Sequence, residues 1–214
     1  MCFFFHDPTN QKQKQGLFTR VTPCHITTFY YVGFCYLMMR RYQDAARTFS
    51  HILYFISRTK QYHTRSFQYD FIMKQNEQMY SLLAVCLSLS PQKIEDSVSA
   101  TIREKQGEKL DQVQQGEKVE EIFSEWFQFS CPKFISPVPP NFEGVVNLHQ
   151  EPYKHQHRIF IREVTHQMRI PIIRSYLKLY TSMDIAKLAS FLGLEEAEVK
   201  YASATSPRIA KIPS

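Results

Sequence analysis

From Tyr42 onward the apolar positions fall at Tyr42, Ala45, Ala46, Phe49, Ile52, Leu53 and Ile56. Steps of three and four residues put them on one stripe of a helix, with Gln43, Asp44, Arg47 and Ser50 on the other side. The preceding run, TTFYYVGFCYLMM, also has helical length but is apolar on more than one side, which predicts a central helix. Only Arg40-Arg41 separates the two runs, and so short a connection predicts an antiparallel hairpin. Gly33, Ala45 and Ala46 are small where such a hairpin needs close approach. Burying a large apolar side chain is worth roughly 1.5–3 kcal/mol, far more than an exposed arginine contributes.

The pattern then recurs in kind. Phe71–Leu89 reads as a helix that stops at Ser90-Pro91, and Pro91 is expected in the first turn of the next, running through Ile94, Val98 and Ile102. EEIFSEWFQF is amphipathic around Ile122, Trp126 and Phe129. Five prolines between Cys131 and Pro152 exclude a continuous helix there, and Phe134, Ile135, Val138 and Phe142 make this stretch read as an ordered strap. Helices are expected again over Tyr153–Met168 and Pro171–Tyr180. No strand alternation precedes residue 200, so the fold class is all-α, with hairpins stacked as a solenoid.

Near the end, Ser182 suits a helix cap and Asp184 the positive end of the dipole. Ile185, Leu188, Ala189 and Leu192 form the next stripe, Gly193 a left-handed C-cap, and Leu194 the apolar contact beyond it. With Glu195 opening a second helix, this is a helix-turn-helix, the front end of a winged helix. Glu195, Glu196 and Glu198 at the start of that second helix would repel a duplex, which argues against DNA reading.

Charge adds an asymmetry. The net charge is +6, and residues 1–74 hold ten Lys/Arg against three Asp/Glu, a basic third suited to RNA or an acidic protein surface. Lys154, Arg158 and Arg162 fall at i, i+4 and i+8, with Arg169 further on, forming a ridge opposite Ile161, Val164 and Met168. That ridge is the first candidate contact for RNA or an acidic partner; Arg40 and Arg41 at the hairpin tip are the second. A solvated helix face is the alternative reading of both.

Catalytic chemistry finds no foothold. His155 and His157 are two apart and point to different sides of a helix, while His149 and His166 complete no ligand spacing. Cys24-His25 has no third group to orient it, and the six glycines form no phosphate loop. The expectation is no enzyme, no cofactor, no metal and no small-molecule substrate. Five cysteines without a C-x-x-C pair suit a reducing compartment. With neither a signal peptide nor a membrane span at the oily runs, a cytoplasmic location is expected and no membrane partner.

Stacked hairpins leading into a helix-turn-helix resemble the PCI module shared by scaffold subunits of the proteasome lid, the signalosome and translation initiation factors. TTFYYVGFCYLMMRRYQDAARTFSHILYFISRTK, KQNEQMYSLLAVCLSL, FSCPKFISPVPPNF and IIRSYLKLYTSMDIAKLASFLGL, in that order, are similar to the PCI subunits of translation initiation factor three. The resemblance covers roughly Arg20 to Val199. It implies a non-catalytic scaffold, TPR-like in its repeats. Its partners would be the other subunits of that factor and, through the complex, the small ribosomal subunit, with rRNA or mRNA contact as a further expectation. It also implies a division into a divergent segment 1–19, a helical-repeat region 20–130, a proline-rich strap 131–152, C-terminal PCI helices 153–199 and a divergent tail 200–214. Because the second helix runs out where a wing should follow, the winged helix is expected to be truncated and the chain a shortened form. A stand-alone RNA-binding helical protein and a non-functional truncated form are the competing readings.

Overall fold

The computed structural model of the chain describes residues 17–63, 68–132, 151–179 and 185–193. Among them, after a short 3-10 turn at Leu17–Arg20, there are seven helices and no strand. They are α1 (Thr22–Met38), α2 (Tyr42–His63), α3 (Tyr69–Leu89), α4 (Asp96–Gln115), α5 (Val119–Ser130), α6 (Glu151–Leu179) and α7 (Ile185–Leu192). The architecture is an all-α helical solenoid. Helices α1, α3 and α5 line up side by side in one layer, α2 and α4 in the other, and α6 crosses α5 and reaches α3.

The first hairpin forms as its pattern dictates. α1 opens with Pro23 in the first turn, where a missing N–H costs nothing. It buries Ile26, Tyr30, Gly33, Phe34 and Leu37, while Tyr42, Ala45, Ala46, Phe49, Ile52, Leu53 and Ile56 of α2 are all buried against it or α3. The two helices approach closely at Gly33, where an added Cβ would stand 2.4–2.9 Å from the ring of Phe49. α1 ends in a Schellman motif: the Arg41 N–H bonds the Tyr36 carbonyl at 2.9 Å and the Arg40 N–H the Leu37 carbonyl at 3.0 Å. Arg40 takes the left-handed seat of that motif, at φ +62°.

Four expectations change. The central helix is α3, not α1: every residue from Met79 to Cys86 is buried because α1, α2, α4 and α5 all pack on it. α1 buries one stripe only and leaves Tyr31 exposed, with Val21 and Met39 exposed at its two ends. α4 starts at Asp96 rather than at Pro91. Residues 91–95 stay non-helical, pinned where Gln92 Nε2 donates to the Gln43 carbonyl at 3.4 Å, and Glu95 at the N-cap has ψ 135°. In α5, Ile122 and Trp126 are buried but Phe129 is half exposed. That helix is held between α3 and α6, so its buried face is Ile122, Phe123, Trp126, Phe127 and Ser130, and position 129 points away. Finally, α6 passes through Pro171 as one helix of 29 residues in place of two. An interior proline removes one backbone bond and costs about 3 kcal/mol. The buried Phe160, Val164 and Ile170 anchor the turns that lead into it.

Aromatic rings join the layers. Phe127 of α5 stacks on Phe160 of α6 with centroids 4.6 Å apart and lies 6.1 Å from Phe34 of α1. The buried Tyr30 hydroxyl donates to the Ser130 carbonyl at 2.7 Å, tying α1 to the end of α5. The proline-rich strap beyond Pro132, the divergent N-terminal segment up to Gly16, the divergent tail 200–214, and the caps at Ser182 and Asp184 lie outside the described residues. So do Leu194, Glu195 and the second helix of the expected helix-turn-helix.

Candidate functional site

The two basic features of the sequence have different surroundings. At the hairpin tip, Arg40 Nη2 lies 2.7 Å from Glu163 Oε2, and the Glu163 side chain is only 13% exposed. The guanidinium thus fastens the α1–α2 turn to α6. Beside it Tyr42 is buried, and burial first, then the Glu163 charge, push its hydroxyl above the usual phenol range. Arg41 turns the other way: its guanidinium meets Asp44 at 2.6 Å and sits 4.8 Å above the Tyr36 ring. Both tip arginines are therefore engaged within the chain. Nothing in the local sequence marks Glu163 as the partner of Arg40.

On α6 the ridge is less uniform than its spacing suggests. Lys154 is exposed and lies 3.5 Å from Glu151. Arg158 and Arg162, one turn apart, are exposed and have no ion-pair partner among the described residues. Arg169 is half-buried and is not free. The opposite side of the helix is apolar, with Val164 buried and Ile161 and Met168 packed on the core. The core thus orients α6 so that Arg158 and Arg162 project outward together.

α7 carries the stripe of the expected helix-turn-helix. Leu188 and Ala189 are buried, Ile185 is half-buried, and Leu192 is the last residue of the helix. Gly193 follows at φ +62°, the left-handed conformation a glycine C-cap provides.

The remaining candidates belong to packing. His157 Nε2 pairs with Ser124 Oγ at 2.9 Å across α5 and α6, while His155 is exposed. His25 packs against the rings of Phe29 and Phe55, at 4.8 and 5.2 Å, and burial followed by His51 lowers its pKa. The buried Cys131 thiol is pushed up to about 12 by burial, so it stays protonated and unreactive at neutral pH. Among the described residues no group of three His, Cys, Asp or Glu stands close enough to hold a metal ion. No helix among them is long and apolar enough to cross a membrane.

Comparison with known proteins adds a family. The family described as RNA polymerase I-associated factor PAF67 matches residues 7–205. Eukaryotic translation initiation factor 3 subunit L of Nematostella vectensis is 54% identical over 186 residues, 86% of this chain and 35% of that protein. The subunit L proteins of Danio rerio and Homo sapiens are each 49% identical over 189 residues, 87% of this chain and 32% and 33% of theirs. The chain spans about a third of the length of these curated relatives.

Proposed function

Since the chain belongs to the family of RNA polymerase I-associated factor PAF67, we propose that it acts in translation initiation as a scaffold subunit of the factor 3 assembly. The observation that carries this reading is 54% identity, over 86% of the chain, to a protein named initiation factor 3 subunit L. The reading places the chain in the cytoplasm, docked through its helical stack on other subunits of the factor and, through them, on the small ribosomal subunit. It performs no catalysis. A solenoid suits that task because each hairpin buries one face on its neighbours and leaves another as an extended docking surface.

Arg158 and Arg162 supply the contact we assign to an acidic neighbouring subunit or to RNA, with Lys154 beside them. The interior of the solenoid, by contrast, consists of apolar and aromatic packing that determines shape and leaves recognition to the outside. The division of the chain into a repeat region, a proline-rich strap and C-terminal PCI helices, with a truncated winged helix, belongs to the same proposal.

Affinity purification of the tagged 214-residue chain from a eukaryotic extract at low salt, followed by mass spectrometry and a sucrose gradient, tests the reading. Co-purification of factor 3 subunits, and sedimentation with the small ribosomal subunit, is the expected result. A chain that stays at the top of the gradient with none of those subunits would overturn it.

A further inference from the structure

We propose that the groove between α2 and the segment Pro91–Glu95 is a docking site for an extended peptide of a partner protein, one that carries an acidic side chain toward Arg47 and Lys93. This inference does not depend on the initiation-factor reading.

The groove has a volume of about 790 Å³, within the usual range for ligand clefts. One wall is the outer stripe of α2, with Arg47, His51 and Tyr54; the other is the connection from α3 to α4, with Lys93, Ile94 and Glu95. These residues lie far apart in the sequence, and only the delayed start of α4 creates the second wall. The side chain of Gln92 holds that wall against α2 through the Gln43 carbonyl, so the groove is preformed.

Two features select a peptide. First, Gln92, Lys93 and Ile94 belong to no helix, and among the described residues their backbone N–H and C=O groups make no hydrogen bond. Unpaired main-chain groups along a groove are what an added strand uses: the backbone supplies affinity and alternate side chains supply specificity. From Gln43 to Tyr54 the α2 wall is about 16 Å long at 1.5 Å per residue. That accommodates about five residues of extended chain at roughly 3.3 Å each.

Second, the charge is mixed. Arg47 is 74% exposed, and its nearest carboxylate, Asp44 at 3.9 Å, is already held by Arg41 at 2.6 Å. Lys93 adds a second exposed cation, whereas Glu95 and Asp96 bring exposed carboxylates into the same lining. A nucleic acid backbone would meet those carboxylates with like charge. A peptide that sets an acidic residue against Arg47 and Lys93 and a neutral or basic residue against Glu95 and Asp96 meets no such conflict. Tyr54, with the Arg58 guanidinium 5.6 Å from its ring centroid, offers a braced aromatic surface for an apolar side chain.

The test is selection of a random heptapeptide phage library on the intact 214-residue chain, then fluorescence polarisation of the enriched peptide. The expected peptide contains an acidic residue and binds with micromolar Kd. Arg47→Glu with Lys93→Glu should weaken it at least tenfold while the circular dichroism melt is unchanged, and N-methylation of alternate peptide amides should weaken it as much. Failure to enrich any peptide would overturn the proposal, as would binding indifferent to both changes. A fluorescent oligouridylate that binds more tightly than the peptide, and is lost in the same double variant, would overturn it in favour of RNA.

Discussion

The tip of the first hairpin and the outer face of α6 each carry a pair of arginines, yet the fold treats them oppositely. Arg40 occupies a left-handed backbone position that costs a non-glycine residue about 1–2 kcal/mol. At the end of α4 the same Schellman motif uses Gly116, at φ +80°, and bears no such strain. The arginine at the tip is explained by its side chain, which crosses to Glu163 and clamps the hairpin to α6. Arg158 and Arg162 project outward from that same helix, with regular backbone and no ion-pair partner among the described residues. A basic residue that sits in strained backbone and holds a largely buried carboxylate belongs to the structure. One held outward by a packed apolar face is available to something else.

Substitutions should separate the two regions, beginning with the interlock that holds the hairpin. Gly33→Ala forces a Cβ into the ring of the fully buried Phe49 and should cost about 1–3 kcal/mol in urea unfolding, with the slope unchanged. At the tip, Arg40→Gln should cost about 1 kcal/mol, because the ion pair is partly solvent-screened and the Glu163 carboxylate keeps the Gln167 amide, which donates to it at 2.8 Å. Arg40→Gly loses the same pair but relieves the left-handed backbone, so it should be the milder of the two by about 1 kcal/mol. A ranking in which glycine is worse would remove the strain from the account.

The smallest effect is one of pH. Burial and His51 lower the pKa of His25, so the unfolded chain takes up a proton near pH 6.5 while the folded chain still resists it. The His25 contribution is complete above that pH and is lost as pH falls from 6.5 toward the lowered folded value. Thermal melts between pH 7.5 and 5.5 should therefore decline, and His25→Phe should flatten the decline.

The hairpin was legible because its stripe, its two-residue connection and its small residues all specify the same packing. α3 was legible as a helix, but its central place was not, since only the meeting of its five neighbours, α1, α2, α4, α5 and α6, reveals it. Phe129 misleads because an apolar residue at helical spacing fits a stripe whether or not a neighbour exists to cover it. Pro91 misleads for a related reason: proline permits a helix start, but the Gln92 tether and the extended Glu95 delay it to Asp96. Pro171 reads as the start of a second helix, yet one helix continues through it. The ridge was legible as charge, whereas its division into a paired Lys154, an engaged Arg169 and two outward arginines depends on the fold. Glu163 carries no local sign that it serves Arg40.

The most direct test of the outward surface is low-salt affinity purification of the intact chain carrying Arg158→Glu and Arg162→Glu, scored by recovery of initiation factor 3 subunits and by melting temperature. Recovery should fall at least tenfold while the melt stays within a degree or two of the unmodified chain. Undiminished recovery, or a loss that merely follows unfolding, would contradict it.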